Sequence, residues 1–161
     1  MHEADQGRGL RAHQLFYNAF LVEQQVGTLL AKALEGTGMT PSEFAIYSAI
    51  WMRGEPVTPS DLADQINLPR STLTGYLSTL ERRGHIERLP NPADGRSSYV
   101  ALTAAGREAH HQAADASQGA QLDLNERLGA DLADVQRSVL TLHRRLAEAI
   151  SADDPETRPA G

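Results

Sequence analysis

The order of hydrophobic and polar positions between residues 58 and 103 predicts a short helix, a turn, a second helix and a hairpin. In the second helix, leucines recur four and three residues apart, at Leu73, Leu77 and Leu80. This spacing places them on one side of a helix, which is predicted to cover residues 70–83 and to bury that stripe.

The opposite face of the second helix carries small polar residues and one arginine, with no acid. Its members and the residues flanking them are Ser71, Thr72, Thr74, Gly75, Ser78, Thr79 and Arg82. Short polar side chains beside a bare backbone position suit the major groove of DNA, where they can approach base edges. The alternative is an ordinary amphipathic helix with a solvated face, and this pattern alone leaves both interpretations open.

Two helix starts are marked by their residue types. Thr58 is followed by Pro59 and, three residues on, by Asp61, an arrangement of the capping-box type. Thr40 and Glu43 have the same spacing at the start of an earlier helix. The sequence therefore predicts helices beginning directly after Thr40 and Thr58.

Two short strand-type segments, residues 85–90 and 97–102, follow the second helix. The Asp94–Gly95 pair between them is a strong hairpin-turn signal, so the segments predict a hairpin, or wing, after the helix-turn-helix. Arg96 is a candidate for the minor groove, whose negative potential attracts guanidinium, with Asp94 holding its side chain in place. An ordinary surface ion pair in a loop is the alternative.

Residues 10–34 have helical spacing, but apolar residues lie nearly all round the helix. Such a helix must be buried on most sides, which predicts that it is enclosed between two subunits. One arc of it, with residues of the next helix, is also a candidate pocket for a small molecule, because pockets are mostly apolar with few polar groups. Dimer core is the alternative. The candidate ligand-binding residues are His13, Phe16, Tyr17, Phe20, Tyr47 and Trp51.

The sequence after Thr103 predicts two more helices. The first is rich in alanine, and Gly119 is predicted to kink or end it. The second, residues 130–150, has apolar residues alternately four and three apart, a heptad seam suited to helix–helix packing. Together with the first helix of the chain, this pair predicts a dimerisation layer.

Composition excludes several classes of function. The 161 residues contain no cysteine, which excludes disulfides, thiolate metal sites and thiol-based redox sensing. No nucleotide-binding, hydrolase or zinc-protease motif is present, so neither catalysis nor a cofactor is expected. His110, His111 and His143 are interpreted as solvated histidines, with a metal site as the alternative. No stretch approaches the roughly 18 apolar residues of a membrane span, and no signal peptide is evident, so a cytoplasmic protein without membrane contact is expected.

The formal net charge of −6 argues at first against a polyanionic partner. The acidity is unevenly distributed, however. Residues 55–107 contain six arginines and six acids, whereas residues 108–161 contain five arginines and ten acids. Binding to DNA would therefore depend on a few placed arginines, hydroxyls and helix N-termini.

Several segments in the same order resemble one known family. TPSEFAIYSAI at residues 40–50, the helix-turn-helix, ERRGHIER at 81–88, ADGR at 93–96 and LTAAG at 102–106 are similar to MarR-type winged-helix transcriptional regulators. The resemblance is close over residues 39–106. It implies that Asp94 and Arg96 are the family's wing Asp-x-Arg pair. It further implies that residues 70–80 match its recognition helix, although many members have more basic residues in the middle of that helix. The resemblance also implies a dimer, and a small aromatic or anionic effector bound between the dimer layer and the winged helix.

The prediction is a mainly α protein of α+β winged-helix type, in which a winged helix-turn-helix core carries N- and C-terminal helices forming a dimerisation layer. Residues 39–103 would bind DNA, residues 10–38 and 104–150 would form the dimerisation layer, and residues 1–9 and 151–161 would be disordered. The function expected is that of a homodimeric, sequence-specific regulator of transcription that acts as a ligand-responsive repressor on a pseudo-palindromic operator. A winged-helix protein-interaction module without DNA binding is the alternative.

The DNA contacts expected fall into three groups. Bases of double-stranded DNA would be faced by Ser71, Thr72, Thr74, Gly75 and Ser78. Phosphates would be bound by Ser60, Arg70 and Arg82, and Arg96 would enter the minor groove.

Overall fold

A computed structural model of the chain describes residues 3–54, 56–92 and 97–152, with the side chains of residues 3–13, 151 and 152 left out of the description. Within these ranges the chain forms six α-helices, a 3₁₀ turn and a two-stranded antiparallel sheet. The predicted mainly α, winged-helix architecture is confirmed. The elements are α1 Glu3–Ala33, α2 Pro41–Arg53, α3 Pro59–Ile66, α4 Arg70–Arg82, β1 Ile86–Pro90, β2 Ser98–Leu102, α5 Ala104–Leu128, the 3₁₀ turn Gly129–Asp131 and α6 Leu132–Ala152.

The hydrophobic core lies among α2, α3, α4 and the two strands. The three leucines predicted to form the stripe of α4 are all buried there, because they occupy the side of the helix that faces α3 and β1. The largest fully buried side chains are Tyr47, Ile46, Leu62, Leu73, Leu77, Leu80, Val57 and Val100. Burial of this stripe leaves the polar face of α4 directed outward.

The helix starts follow the capping residues. At α2 the predicted capping box is complete: the Glu43 amide donates to the Thr40 hydroxyl at 3.2 Å, and the Thr40 amide donates to the Glu43 carboxylate at 2.8 Å. At α3 only half of it forms. The Asp61 amide donates to the Thr58 hydroxyl at 3.1 Å, but the structure shows no bond back from the Thr58 amide. Aspartate is one methylene shorter than glutamate, which explains the missing half.

The wing is a short antiparallel pair of strands with a third partner. Ile86 pairs with Leu102 and Pro90 with Ser98. Val57, in the loop before α3, exchanges two backbone hydrogen bonds with Val100, at 3.0 and 2.8 Å. The base of the wing is thus tied to the loop before α3. The wing tip, with Asp94 and Arg96, lies outside the described residues.

Helix α5 is the element that connects the two halves of the fold, since it packs against α1, α2 and β2. Of the two predictions for Gly119, that it kinks or ends this helix, the second is wrong. The helix continues to Leu128 and ends at Gly129, which has a left-handed φ of 50°. A single glycine within a long helix costs about 1 kcal/mol, which is too little to end a helix held on several sides by packing.

The ends of the outer helices differ from the prediction. Helix α1 begins at Glu3, where residues 1–9 were expected to be disordered. Once a helix has nucleated, each further residue adds one hydrogen bond at little cost, so a polar start can extend it. Helix α6 begins at Leu132 and ends at Ala152, and beyond the 3₁₀ turn it makes few contacts with the rest of the chain. Its heptad seam is therefore largely unpartnered in one copy of the chain.

Candidate nucleic-acid interface

The polar face of α4 is open to solvent along its whole length. Every residue predicted from this helix to contact DNA is exposed, and these are Arg70, Ser71, Thr72, Thr74, Gly75, Ser78 and Arg82. A β-carbon built on Gly75 would meet no atom within 4 Å. The surface is therefore shallow at its middle, where the backbone itself is accessible.

Hydroxyl groups along this face are bonded back to the helix. The Thr74 hydroxyl donates to the Arg70 carbonyl at 2.8 Å, and the Ser78 hydroxyl donates to the Thr74 carbonyl at 2.9 Å. Arg82 also folds back, with Nε 3.4 Å from the Ser78 carbonyl and a terminal nitrogen 3.0 Å from the Thr79 hydroxyl. The middle and last turns of the helix thus present a side-chain surface ordered by its own backbone.

A cleft of about 580 Å³ lies between the first turns of α3 and α4 and the part of the wing towards its turn. Ser60 and Arg70 both line it, so the structure brings together two residues that the sequence assigned to phosphate contact. The other lining residues are Thr58, Pro59, Asp61, Leu73, Thr74, Arg88, Asn91, Ser97 and Ser98. Of these only Thr74 was a predicted contact. The remaining residues come from the start of α3, from α4 and from the wing, and their proximity depends on the tertiary fold.

The cationic groups near the cleft differ in their pairing. Arg88 on β1 donates to the Glu81 carboxylate at 3.1 Å, which neutralises much of its charge. Arg70 has no ion-pair partner among the residues that the structure describes. The charge of Arg70, at the start of the exposed helix, is therefore available to an anion.

A partly buried polar cluster connects α2 to the residues directly after α4. The Arg83 guanidinium lies 2.9 Å from the buried Glu43 carboxylate. The Tyr47 hydroxyl and Nδ1 of His85 are 2.6 Å apart, within hydrogen-bond distance. Burial raises the pKa of Tyr47 above its ordinary value, and the nearby Glu43 carboxylate acts in the same direction, while Arg83 opposes them. Sequence reasoning missed this cluster because its members are far apart in the chain.

The predicted effector residues do not form one site within a single chain. Tyr47 is fully buried in the winged-helix core with its hydroxyl at His85, so its assignment to an open pocket is wrong. Phe16, Tyr17 and Phe20 are between 56% and 67% exposed on α1. The side chain of His13 lies outside the described residues.

Trp51 belongs to an aromatic cluster between α2 and α5. Its ring and that of Phe44 each lie 5.7 Å, centroid to centroid, from His110. His110 is 6% exposed, so the prediction that it is solvated is wrong. Its Nε2 lies 3.1 Å from the Ser48 hydroxyl, and its buried Nδ1 has no partner within the described part of the chain. Burial, the larger effect, and the neighbouring His111 lower the pKa of His110 below 6.5.

An apolar cavity of about 310 Å³ lies between α1, α2 and α5. It is lined by Val26, Leu29, Leu30, Ala33, Phe44, Ala114, Ser117, Ala120, Gln121 and Leu124. Two polar side chains, Ser117 and Gln121, stand among apolar ones. Apolar cavities with a few polar groups are the usual surroundings of small-molecule ligands.

Two further kinds of feature, a metal site and a membrane span, were looked for in the residues the structure covers. Over those ranges no three His, Asp or Glu side chains are grouped so that they could hold a metal ion. The helices described there are also all too short or too polar to cross a membrane.

Comparison with known proteins agrees with this geometry. The sequence pattern that defines the MarR family matches residues 39–98, which contain α2, the helix-turn-helix and the wing. The multiple antibiotic resistance protein MarR of Escherichia coli is 32% identical over 137 residues, which cover 85% of this chain and 80% of MarR. The chain belongs to the MarR family. It is accordingly a DNA-binding transcriptional regulator and not an enzyme.

A further relative and a solved structure are also similar to this chain. The transcriptional activatory protein BadR of Rhodopseudomonas palustris is 29% identical over 98 residues, which span 60% of this chain and 56% of the length of BadR. The crystal structure of a cysteine-to-serine mutant of E. coli MarR complexed with operator DNA superimposes with a TM-score of 0.71 at 28% identity. The superposition covers 80% of this chain and 91% of that one. A MarR-family protein with this fold has thus been crystallised in complex with its operator DNA.

Proposed function

We propose that the protein binds a specific operator as a homodimer, with residues 39–103 contacting DNA and residues 10–38 and 104–150 forming the dimerisation layer. The observation that carries this proposal is the exposed polar face of α4, beside which the one acid of the helix, Glu81, is paired with Arg88. The fully buried leucine stripe holds that face outward. In this arrangement α4 would enter the major groove, where Ser71, Thr72, Thr74, Gly75 and Ser78 would face base edges.

Phosphate contacts would come from both sides of the cleft. Ser60 lies in the first turn of α3 and Arg70 in the first turn of α4, so backbone amides at two helix starts would point towards the same strand. Arg82, at the other end of α4, would release its contacts with its own helix to reach a phosphate. Arg96, supported by Asp94, would enter the adjacent minor groove.

The homodimer is proposed from the apolar surface that one copy leaves open. Large apolar side chains are exposed along α1 and α6, and the apolar seam of α6 has few partners within the chain. Exposed apolar patches of this extent mark interaction sites. They include Leu15, Phe16, Tyr17, Phe20, Val22, Val26, Val135, Val139, Leu140, Leu146 and Ile150. A second copy with twofold symmetry would present its α4 one helical turn of DNA away, which implies a pseudo-palindromic operator.

A ligand-responsive repressor is the mode of action that we propose. A small aromatic or anionic molecule would bind near the α1–α2–α5 junction, where the apolar cavity and Trp51 lie and where Phe16, Tyr17 and Phe20 of a second copy could complete the site. Because α5 packs against both α1 and β2, a ligand that moves it would alter the spacing of the two α4 helices. That shift would release the operator.

The experiment that tests the function measures binding of the purified protein, at two salt concentrations, to DNA upstream of its own and neighbouring genes. Tight, salt-sensitive binding to one fragment over bulk DNA is the result expected. Arg96→Ala should weaken this binding and flatten the salt slope by about one. An intact dimer that prefers no fragment, with or without candidate aromatic acids, would favour a protein-interaction module, to which the acidic net charge of −6 is better suited.

A further inference from the structure

Ser71 and Ser78 form a matched pair on the exposed face of α4. They are seven residues apart, so they lie on nearly the same side of the helix, about 10 Å apart along its axis. Both side chains are exposed, and Gly75 between them leaves the surface open. The two serines would therefore meet different base pairs with the same chemical group.

The two hydroxyls differ in their hydrogen bonds. The Ser78 hydroxyl donates its proton to the Thr74 carbonyl at 2.9 Å. The Ser71 hydroxyl has no hydrogen-bond partner in the part of the chain that the structure describes. A hydroxyl has one proton and two lone pairs, so Ser71 can donate or accept outward, whereas Ser78 offers lone pairs only.

Base edges in the major groove differ in what they present to an acceptor. Adenine and cytosine each carry an exocyclic amino group that donates, whereas guanine presents two acceptors, and thymine an acceptor and a methyl group. We propose that Ser78 is a specificity-determining residue that selects an exocyclic amino group, of adenine or cytosine, on the base that it faces. Ser71 imposes no such choice.

This inference rests on the proposed function, since it assigns one position in the operator. The Thr74 hydroxyl, bonded to the Arg70 carbonyl at 2.8 Å, has the same acceptor-only character and borders the same face. Turning the Ser78 hydroxyl towards a base acceptor would sacrifice its bond to the helix. Because a net hydrogen bond contributes about a fivefold change in an equilibrium constant, the preference for an amino group is about fivefold.

The test begins with selection of an operator from random-sequence DNA by the wild-type protein. Duplexes are then made that lack one amino group, with purine in place of adenine or 2-pyrimidinone in place of cytosine. A second set lacks one guanine O6, with 2-aminopurine in place of guanine. Dissociation constants are measured for each duplex with wild-type protein, Ser78→Ala and Ser71→Ala. Both positions are exposed, and alanine has a higher helix propensity than serine, so neither substitution should perturb folding.

The expected result is one amino group whose removal weakens wild-type binding about fivefold but leaves Ser78→Ala binding unchanged. Ser71→Ala should keep that discrimination. The inference is overturned if no amino group is coupled to Ser78, or if the coupled atom is a guanine O6, while salt-sensitive operator binding shows that the proposed function stands. If no sequence is enriched at all, the proposed function and the inference fall together.

Discussion

Gly106, near the start of α5, lies so close to His85 that a β-carbon on Gly106 would be 1.9 Å from the His85 carbonyl oxygen. The Thr103 amide donates to the same oxygen at 3.0 Å, and its hydroxyl donates to the Gly84 carbonyl at 2.7 Å. These contacts join the first turn of α5 to the residues directly after α4. They form a direct physical connection between the proposed dimerisation layer and α4, the helix proposed to contact bases.

Gly106→Ala should destabilise the protein by about 3 kcal/mol, because the added methyl group meets backbone that cannot move without disturbing the end of α4. The measurement is urea denaturation at fixed protein concentration. Gly119→Ala is the matched control in the same helix. A β-carbon added at Gly119 would meet nothing within 4 Å, so Gly119→Ala should raise the free energy of unfolding by up to about 1 kcal/mol. Equal effects of the two substitutions would contradict the close contact.

Removing the hydroxyl of Tyr47 should cost about 1 kcal/mol through loss of its bond to His85. Tyr47→Phe keeps the buried ring, so packing changes little. A double-mutant cycle with His85→Ala separates this bond from other effects. The cost of Tyr47→Phe should largely disappear once His85 is replaced, and an unchanged cost in both backgrounds would show that the hydroxyl acts elsewhere.

Stability should fall as the pH drops below about 6.5, because burial keeps the pKa of His110 below its ordinary value of 6.5. The unfolded chain takes up a proton at that histidine more readily than the folded chain does. The stabilisation is therefore complete above the unfolded pKa and is lost as the pH falls through the folded pKa. Free energies of unfolding measured between pH 5 and 8, a window chosen around the ordinary histidine pKa, would show the slope.

His110→Phe should flatten that slope, since a phenyl ring can keep the contacts with Phe44 and Trp51 but cannot titrate. The polar groups that face His110 are the Ser48 hydroxyl on α2 and the His111 ring on α5. The exposed His143 is the control position. His143→Phe should leave the slope unchanged, and the same flattening from both variants would argue against His110 as its source.

Arg70→Ala should reduce the slope of log affinity against log salt by about 0.9, the value for one lost phosphate contact. The reason is that Arg70 has no acidic partner within the described residues, so its charge is available to DNA. Arg127 on α5, paired with Asp123 at 2.8 Å, provides the charge-matched control. Operator binding by the two arginine variants would be measured by fluorescence titration at four salt concentrations. An unchanged slope for Arg70→Ala would show that Arg70 does not contact a phosphate.

Gly75→Ala should stabilise the free protein by about 1 kcal/mol and weaken operator binding. The gain follows from the higher helix propensity of alanine at a site with open space around it. The weaker binding follows if the helix backbone approaches the bases closely at this position. Thermal unfolding and operator titration test the two parts separately, and tighter binding by this variant would show that the backbone stays clear of DNA.

Local sequence signals were sufficient where neighbours along the chain decide the structure. The leucine stripe of α4, the Thr40–Glu43 capping box and the strands of the wing all appear where the residues predicted them, within one residue or two. Each depends on spacing within a single element. The exposed face of α4 follows directly, because burial of one side determines which residues the other side presents.

The tertiary structure alone decided which distant side chains meet. It placed the buried Tyr47 against His85, 38 positions along the chain, and set His110 between aromatic rings of α2, although His110 had been interpreted as solvated. The physical reason is that helical periodicity indicates which side of a helix is buried, whereas only the packing of whole elements selects the partner group and the direction of each polar atom.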